Sequence, residues 1–566
     1  MPNRRPTPLL SILLLAGGTL APAAAGADGE RTGDVLRELQ ERAIEEGVSE
    51  AAHWGWKPET YTLWGTHTNR LIPVYTYGTA GAGEGVDLND YVGANSVYRD
   101  GRKLITLYGR PPANTFNPQA EYLDQTNVYD LQRAALDAGK KHVFLVVFDG
   151  MDWQTTRAAA IYNTGRVPYA SGRGTGAHFQ DYDANGTSQF GFMVTSPHND
   201  GTDVDVDAQR VLNPGGVLPG GYDPARAGAA PWTPGEDLEY LVAGPKFSAN
   251  RHAYTDSAAS AVSMTAGIKT YNNAINVDPE GRRVRTIAHQ AQEEGLAVGA
   301  VSSVPISHAT PAAAYAHNVH RNDYQDLTRD LLGRPSISHP DRPLPGLDVL
   351  VGGGYGADRE KDSGQGENYV PGNSYLAAED LRAVDVAHGG RYVVAHRTPG
   401  VNGPERLAEA AAEAAAGGKR LFGFYGTKAG KGHLPFRTAD GGYDPTVGRS
   451  KTAEKYSPAD LAENPTLADM TRAALTVLET DPDGFWLLVE AGDVDWANHD
   501  NNLDNAIGAV NSGDEAVKVV TDWVERNSNW EESLMIVTAD HGHYLVLDRP
   551  ELLAPQSGAA EAAAAE

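Results

Sequence analysis

Six short runs of apolar, β-branched and aromatic residues recur along this chain with helical stretches between several of them, and that alternation limits the fold more than any other feature. The runs are His142–Phe148, Ala297–Ser303, Leu347–Val351, Arg420–Tyr425, Gly484–Val489 and Ser533–Thr538. Near-continuous apolar runs of this length suit strands covered on both faces, which is the condition of a parallel sheet. Thr286–Glu294, Glu405–Ala416, Leu467–Glu479 and Asp514–Asn527 carry helical periodicity. The alternation predicts an α/β fold: a doubly wound, mostly parallel central sheet with helices on both faces. Residues 165–250 and 327–346 are rich in Gly, Pro, Asp and Asn, break the pattern, and are expected to be long loop insertions.

With 566 residues the chain can bury a large core, and 74 acidic against 47 basic side chains give a net charge of −27. A surface this acidic repels nucleic acid and anionic membrane, and any anion it binds needs locally placed cations. Arg4 and Arg5, the apolar run Leu9–Leu15 and the small residues of Ala21–Ala25 have the order of a secretory signal peptide, expected over 1–27. That run is too short to span a bilayer, so no membrane anchor is expected and the destination is periplasmic or extracellular. There is no cysteine, which excludes disulfides and a lipid-modified cysteine. Residues 28–140 are expected to be an N-terminal extension of the main domain at 141–548, and 549–566 an Ala/Glu-rich tail.

In open α/β sheets ligands gather at the carboxyl ends of the strands. Asp149, Glu490 and the pair Asp540–His541 stand at three such ends. Asp495 and His499 are four residues apart, which on a helix puts a carboxylate and an imidazole on one face, a spacing that can share one tetrahedral ion such as zinc. A surface Asp–His pair is the bland alternative, disfavoured by the acidic strand ends around it. Ser257 precedes small residues leading into a helix that ends at Gly267. It suits either an N-cap or a nucleophile, since a helix start favours an alkoxide and a phosphate. Ser307-His308-Ala309-Thr310 follows a strand, and Arg321 beyond it is either a solvated side chain or a fork for two phosphate oxygens.

From about Val143 to Tyr544 these residues, in this order, resemble the alkaline phosphatase family. The resemblance rests on Asp149-Gly150-Met151, Thr255-Asp256-Ser257-Ala258-Ala259, Ala309-Thr310-Pro311-Ala312-Ala313 with Arg321, the Glu490, Asp495, His499 spacing, and Thr538-Ala539-Asp540-His541. It implies hydrolysis of small phosphate monoesters through a phosphoserine at Ser257, with Arg321 clamping the phosphate. It also implies one Zn2+ held by Asp149, Asp540 and His541, a second by Asp495 and His499, and Mg2+ by Thr310, Glu490 and the bridging Asp149. His308 stands where some relatives place a magnesium-site aspartate, and Trp496 where some have a lysine. In relatives the second zinc takes a further histidine from well downstream of the Asp-His motif. Here the last histidine is His543, which the family does not use as a ligand, so the expectation is that either the sequence is truncated or the second site is incomplete. A homodimer is left open. The competing readings are a metal-dependent phosphodiesterase of the same superfamily and an inactive or truncated phosphate- or metal-binding relative. A sulfatase is disfavoured because its formylglycine derives from cysteine.

Overall fold

The computed structural model describes residues 34–554 apart from 56, 64, 234, 236, 238–239, 241–251 and 429–430. The expected signal peptide and the tail beyond 554 lie outside the described residues. The strands that matter for the site are β1 (Ala52–Trp54), β2 (Ile72–Tyr77), β3 (Leu123–Asp124), β4 (His142–Phe148), β5 (Gln189–Val194) and β6 (Ala297–Pro305). They continue with β7 (Val349–Gly353), β8 (Tyr392–His396), β9 (Arg420–Phe424), β10 (Phe485–Ala491), β11 (Ser533–Thr538) and β12 (Leu545–Leu547).

Ten of them form one sheet in the order β8-β9-β7-β6-β10-β4-β11-β2-β5-β3. From β8 to β11 every neighbour pair is parallel. β2 is antiparallel to β11 and to β5, and β3 is parallel to β5. β1 and β12 make a separate antiparallel ribbon. The central strands are buried along nearly their whole length, as their unbroken apolar sequences require. The α/β architecture with a mostly parallel sheet is therefore as the alternation predicts. No helix among the described residues is long and apolar enough to cross a membrane.

Three elements differ from the sequence reading. β5 lies inside the Gly-rich stretch 165–250 and joins the central sheet, so that stretch is not loop throughout. Residues 327–331 of the second expected insertion belong to the helix Tyr324–Leu331. The helix expected from Asp514 begins at Leu503. Its first half holds Asn505, Gly508, Asn511, Ser512 and Gly513, poor helix formers that suggest a loop. Burial overrides that propensity. A Cβ on Gly508 would stand 2.0 Å from the Arg437 carbonyl, so the glycine is what lets this helix pack so closely.

Candidate active site

The helices include α1 (Trp153–Thr164), α2 (Ser257–Ala266), α3 (Ala309–Ala313), α4 (Tyr324–Leu331) and α5 (Asp493–His499), of which α2, α3 and α5 carry Ser257, Thr310, Asp495 and His499. Asp149 follows β4, Glu490 is the penultimate residue of β10, and Asp540 and His541 follow β11. Because β10, β4 and β11 are parallel and in register, all three ends open at one edge of the sheet. Gly150 turns the chain out of β4 at φ 74°, and a Cβ there would lie 2.9 Å from the Asp495 Cα. Its N–H donates to Asp540 Oδ1 at 2.9 Å. This close approach draws the acidic ends of β4 and β11 toward α5.

Asp256, not Ser257, is the N-cap of α2, its carboxylate accepting from Ala259 N at 3.0 Å. Ser257 is thereby freed from capping. It is 2% exposed, at the first helical position, with its Oγ 3.2 Å from His541 Nε2. His541 Nε2 is also 3.4 Å from Asp149 Oδ1 and 3.3 Å from Asp540 Oδ2. Both oxygens of Asp149 and Oδ2 of Asp540 are buried with no hydrogen-bond donor reaching them. Arg321 Nη1 donates to Asp256 Oδ2 at 2.9 Å, which sets the guanidinium beside the serine, and Nη2 donates to His308 Nε2 at 3.3 Å. His308 thus faces the arginine, with Trp496 against its ring. Thr310 is buried in α3, the short helix following β6. A cavity of about 640 Å³ lined by Trp496, His499, Arg449 and Lys455 opens beside this group.

Beside Asp495 and His499, the two residues expected at the second site, the structure places a third side chain that the sequence reading does not include. His67, from the segment before β2, brings its Nε2 to 3.1 Å from His499 Nε2 and 3.8 Å from Asp495 Oδ1. His499 Nε2 is itself 3.4 Å from that oxygen. Atoms ligating one tetrahedral ion at 2.0–2.2 Å lie roughly 3.3–3.5 Å apart, so the three side chains have the spacing of a shared ion. Their chemistry agrees. His67 Nδ1 donates to the Thr255 carbonyl at 2.9 Å and His499 Nδ1 to the Gly65 carbonyl at 3.0 Å. Each neutral ring then presents a bare Nε2 lone pair to the other. Two lone pairs at that distance repel unless a cation lies between them, and a backbone-held N–H is how ligating histidines are fixed. His543 Nε2 donates to Asp495 Oδ1 at 2.6 Å and orients the carboxylate. His67 is held in turn. Thr68 N donates to Gly542 O at 3.0 Å, and Arg70 binds both Asp152 and the Leu545 carbonyl.

Sequence reasoning missed His67 and set His543 aside. The only signal for His67 is a threonine-flanked histidine ahead of the apolar run Ile72–Tyr77, which nothing in spacing ties to residues beyond 490.

A family profile described as "Alkaline phosphatase" matches residues 233–397 and 439–557, half of the chain. The chain belongs to the alkaline phosphatase family. It is 31% identical to alkaline phosphatase 3 of Bacillus subtilis over 293 residues, 51% of this chain and 49% of the relative. It is 33% identical to alkaline phosphatase H of Pseudomonas aeruginosa over 318 residues, 53% of this chain and 60% of the relative. The chain therefore matches about half of the length of these curated alkaline phosphatases, and His67 lies outside the residues that the family profile matches. The structure of a cold-active alkaline phosphatase from Shewanella sp. overlaps 71% of this chain and 68% of its own, with TM-score 0.41 and 20% identity.

Electrostatics in this alkaline phosphatase family member separate the groups. Burial pushes Asp149 well above the usual carboxyl range, Glu490 up to about 8 and Asp540 up to about 6. Burial acts the same way on Asp495, but the imidazoles of His499, His543 and His541 outweigh it and hold that carboxyl well below its usual value. Burial drives His67 and His541 well below the ordinary imidazole range, leaving them neutral and available as ligands.

A pH dependence follows for chelated protein. Unfolded, these carboxyls ionise near pH 4, whereas folded Glu490 keeps its proton to about pH 8. The native state therefore binds more protons than the unfolded state across that window, and its stability falls as pH rises. The lowered histidines oppose this slope only below about pH 6.5, their unfolded value. Calorimetry on chelated protein should thus show the melting temperature falling between about pH 6.5 and 8, and zinc with magnesium should abolish the fall. An equal decline with and without metal would show that these carboxyls do not meet an ion.

Proposed function

We propose that this protein hydrolyses phosphate monoesters through a covalent phosphoserine at Ser257. The observation that carries the reading is the convergence of Ser257 Oγ, the Arg321 fork and two groups of ligand atoms on one edge of the sheet. Asp149, Asp540 and His541 are proposed to hold one Zn2+ and Asp495, His499 and His67 the other. Thr310 and Glu490, with Asp149, are proposed for Mg2+. His308 is assigned to the arginine rather than directly to an ion, because its Nε2 already accepts from Arg321. Divalent ions there would supply the positive charge that favours a deprotonated serine, a phosphoryl transition state and a hydroxide.

The chain's own groups do the rest. Arg321, kept charged and aimed by Asp256, holds two non-bridging oxygens of the substrate. Ser257 Oγ gives up its proton to solvent and attacks phosphorus from the positive end of α2, where the backbone N–H groups also favour the anion. The P–Oγ bond forms, the ester P–O bond breaks, and the alcohol leaves with a proton from solvent. Water then attacks the same phosphorus, the P–Oγ bond breaks, and Ser257 recovers its hydroxyl with release of inorganic phosphate. The cavity beside Trp496 is proposed to receive the leaving group. Export by residues 1–27 to a periplasmic or extracellular location is proposed with this activity.

The test is phosphate release from a chromogenic aryl phosphate by purified protein supplied with zinc and magnesium. Arg321→Lys should weaken inhibition by inorganic phosphate by about 1.5–3 kcal/mol, roughly ten- to a hundredfold, since a point charge cannot replace a bidentate fork. Absence of phosphate release with both metals present would end the monoesterase reading, and an unchanged inhibition constant would remove Arg321 from it.

A further inference from the structure

Away from the serine, His317, Asp330 and His339 form a second group whose ligand atoms all lie within 4.8 Å of one another, and it shares no residue with the catalytic groups. His317 precedes the arginine segment, Asp330 lies in α4, and His339 comes from the loop after it. Asp330 is fully buried, His317 is 6% exposed and the His339 side chain 11%. His339 Nδ1 stands 3.0 and 3.2 Å from the two oxygens of Asp330.

His317 is the informative member. Its Nε2 lies 2.8 Å from the Val284 carbonyl, which only accepts, so Nε2 carries the proton and donates. Nδ1 is then a bare lone pair, and it is buried without a partner. A buried acceptor left unmatched costs the fold the solvation that it lost. The arrangement matches a ligating histidine, whose second nitrogen is fixed by a backbone carbonyl. Burial, reinforced by the neighbouring His289, lowers the His317 pKa to about 3, so the ring is neutral at physiological pH. The Asp330 carboxylate is oriented as carboxylate ligands are, accepting from His317 N at 3.0 Å and from Ser336 Oγ at 2.5 Å. His289, parallel to His317 with ring centroids 5.2 Å apart, brings a second buried and unmatched nitrogen, Nε2, against the cluster.

We propose that His317, Asp330 and His339 bind an additional divalent transition-metal ion, Zn2+ by preference, at a site distinct from the catalytic centre. Two imidazoles and one carboxylate suit zinc and its neighbours and not Mg2+ or Ca2+, which take oxygen sets. Three protein ligands leave a fourth position for water. The ion would tie the loop carrying His339 to α4 and to the segment that leads into Arg321.

The experiment counts metal. Full-length protein is stripped, reloaded with zinc, freed of excess ion and analysed for zinc per chain, beside a His317→Ala/His339→Ala double variant and a His541→Ala variant. The double variant should bind one zinc fewer than wild type, and His541→Ala should keep that zinc while losing one elsewhere. Equal counts in wild type and double variant would overturn the proposal. Should the double variant fail to fold, single His339→Gln, which keeps a polar side chain beside Asp330, decides by the same count. The count is independent of turnover, so an inactive enzyme that still carries this zinc would refute the hydrolytic reading and leave the site standing.

Discussion

Ser257→Ala should lower turnover by at least about a thousandfold, the scale on which losing a nucleophile acts, while the protein stays folded. The fold should survive because Asp256 caps α2 and Ser257 does not. Removing a cap costs up to about 2 kcal/mol, whereas removing this hydroxyl costs the helix nothing it uses. Alanine is also the best helix former, so the first turn of α2 is preserved. Inorganic phosphate should still bind, since the Arg321 fork and the N-terminus of α2 remain. The covalent product should vanish: after an acid quench during turnover, mass spectrometry should find phosphate on the wild-type peptide containing Ser257 and none on the variant. Phosphate on another residue, or undiminished turnover, would show that the hydroxyl beside His541 is not the attacking group.

His67→Ala should separate the two halves of the reaction. The resemblance alone suggested two protein ligands at the second site, and hence a wild type that stalls after the first half. With His67 in place the native enzyme should instead turn over steadily. Removing that imidazole leaves Asp495 and His499 as the pair, fewer than the three protein ligands usual for a catalytic zinc site. One zinc equivalent should then exchange readily, and the affinity loss should exceed the roughly 10–100-fold typical of losing a mere supporting residue. Ser257, Arg321, Asp149 and Asp540 remain in place and His541 loses only the ring stacked on it, so phosphorylation of the serine should continue while hydrolysis of the phosphoserine slows. Rapid mixing should show a burst of leaving group close to one per active site, followed by slow turnover, in the variant only. Wild-type-like metal content and steady turnover in His67→Ala would remove His67 from the site.

Much of the sheet could be read because parallel strands buried on both faces leave an unmistakable sequence trace, and the same strands fix where acidic ends such as Asp149, Glu490 and Asp540 must open. Asp495 and His499 were legible for a local reason, their spacing on one helical turn. His67 was not. β2 is antiparallel to β11, and their closeness depends on pairing across the sheet rather than on any connecting segment. Nothing short-range records that pairing, so sequence spacing gives no sign that an imidazole from upstream stands beside Asp495 and His499. β5 was hidden for a similar reason, since its single strand sits in a stretch whose composition reads as loop. The first half of the helix Leu503–Asn527 was hidden by its own glycines, which read as breakers yet serve close packing against Arg437.

The ribbon of β1 and β12 has a mechanical consequence. Ala52 pairs with Leu547 and Trp54 with Leu545, so the chain enters β1 and leaves β12 at the same end of the ribbon. Tension between the segments flanking these strands would load the cross-strand hydrogen bonds one after another, like a zipper, instead of all together in shear. Behind the ribbon lie the stacking of Arg70 on Tyr544 and the bridge between Thr68 and Gly542. Those contacts carry His67 on one side and His541 and His543 on the other. A pull that opened the ribbon would part these histidines while the parallel sheet from β8 to β11 stayed whole, so force would dismantle the histidine cluster before it unravelled the protein.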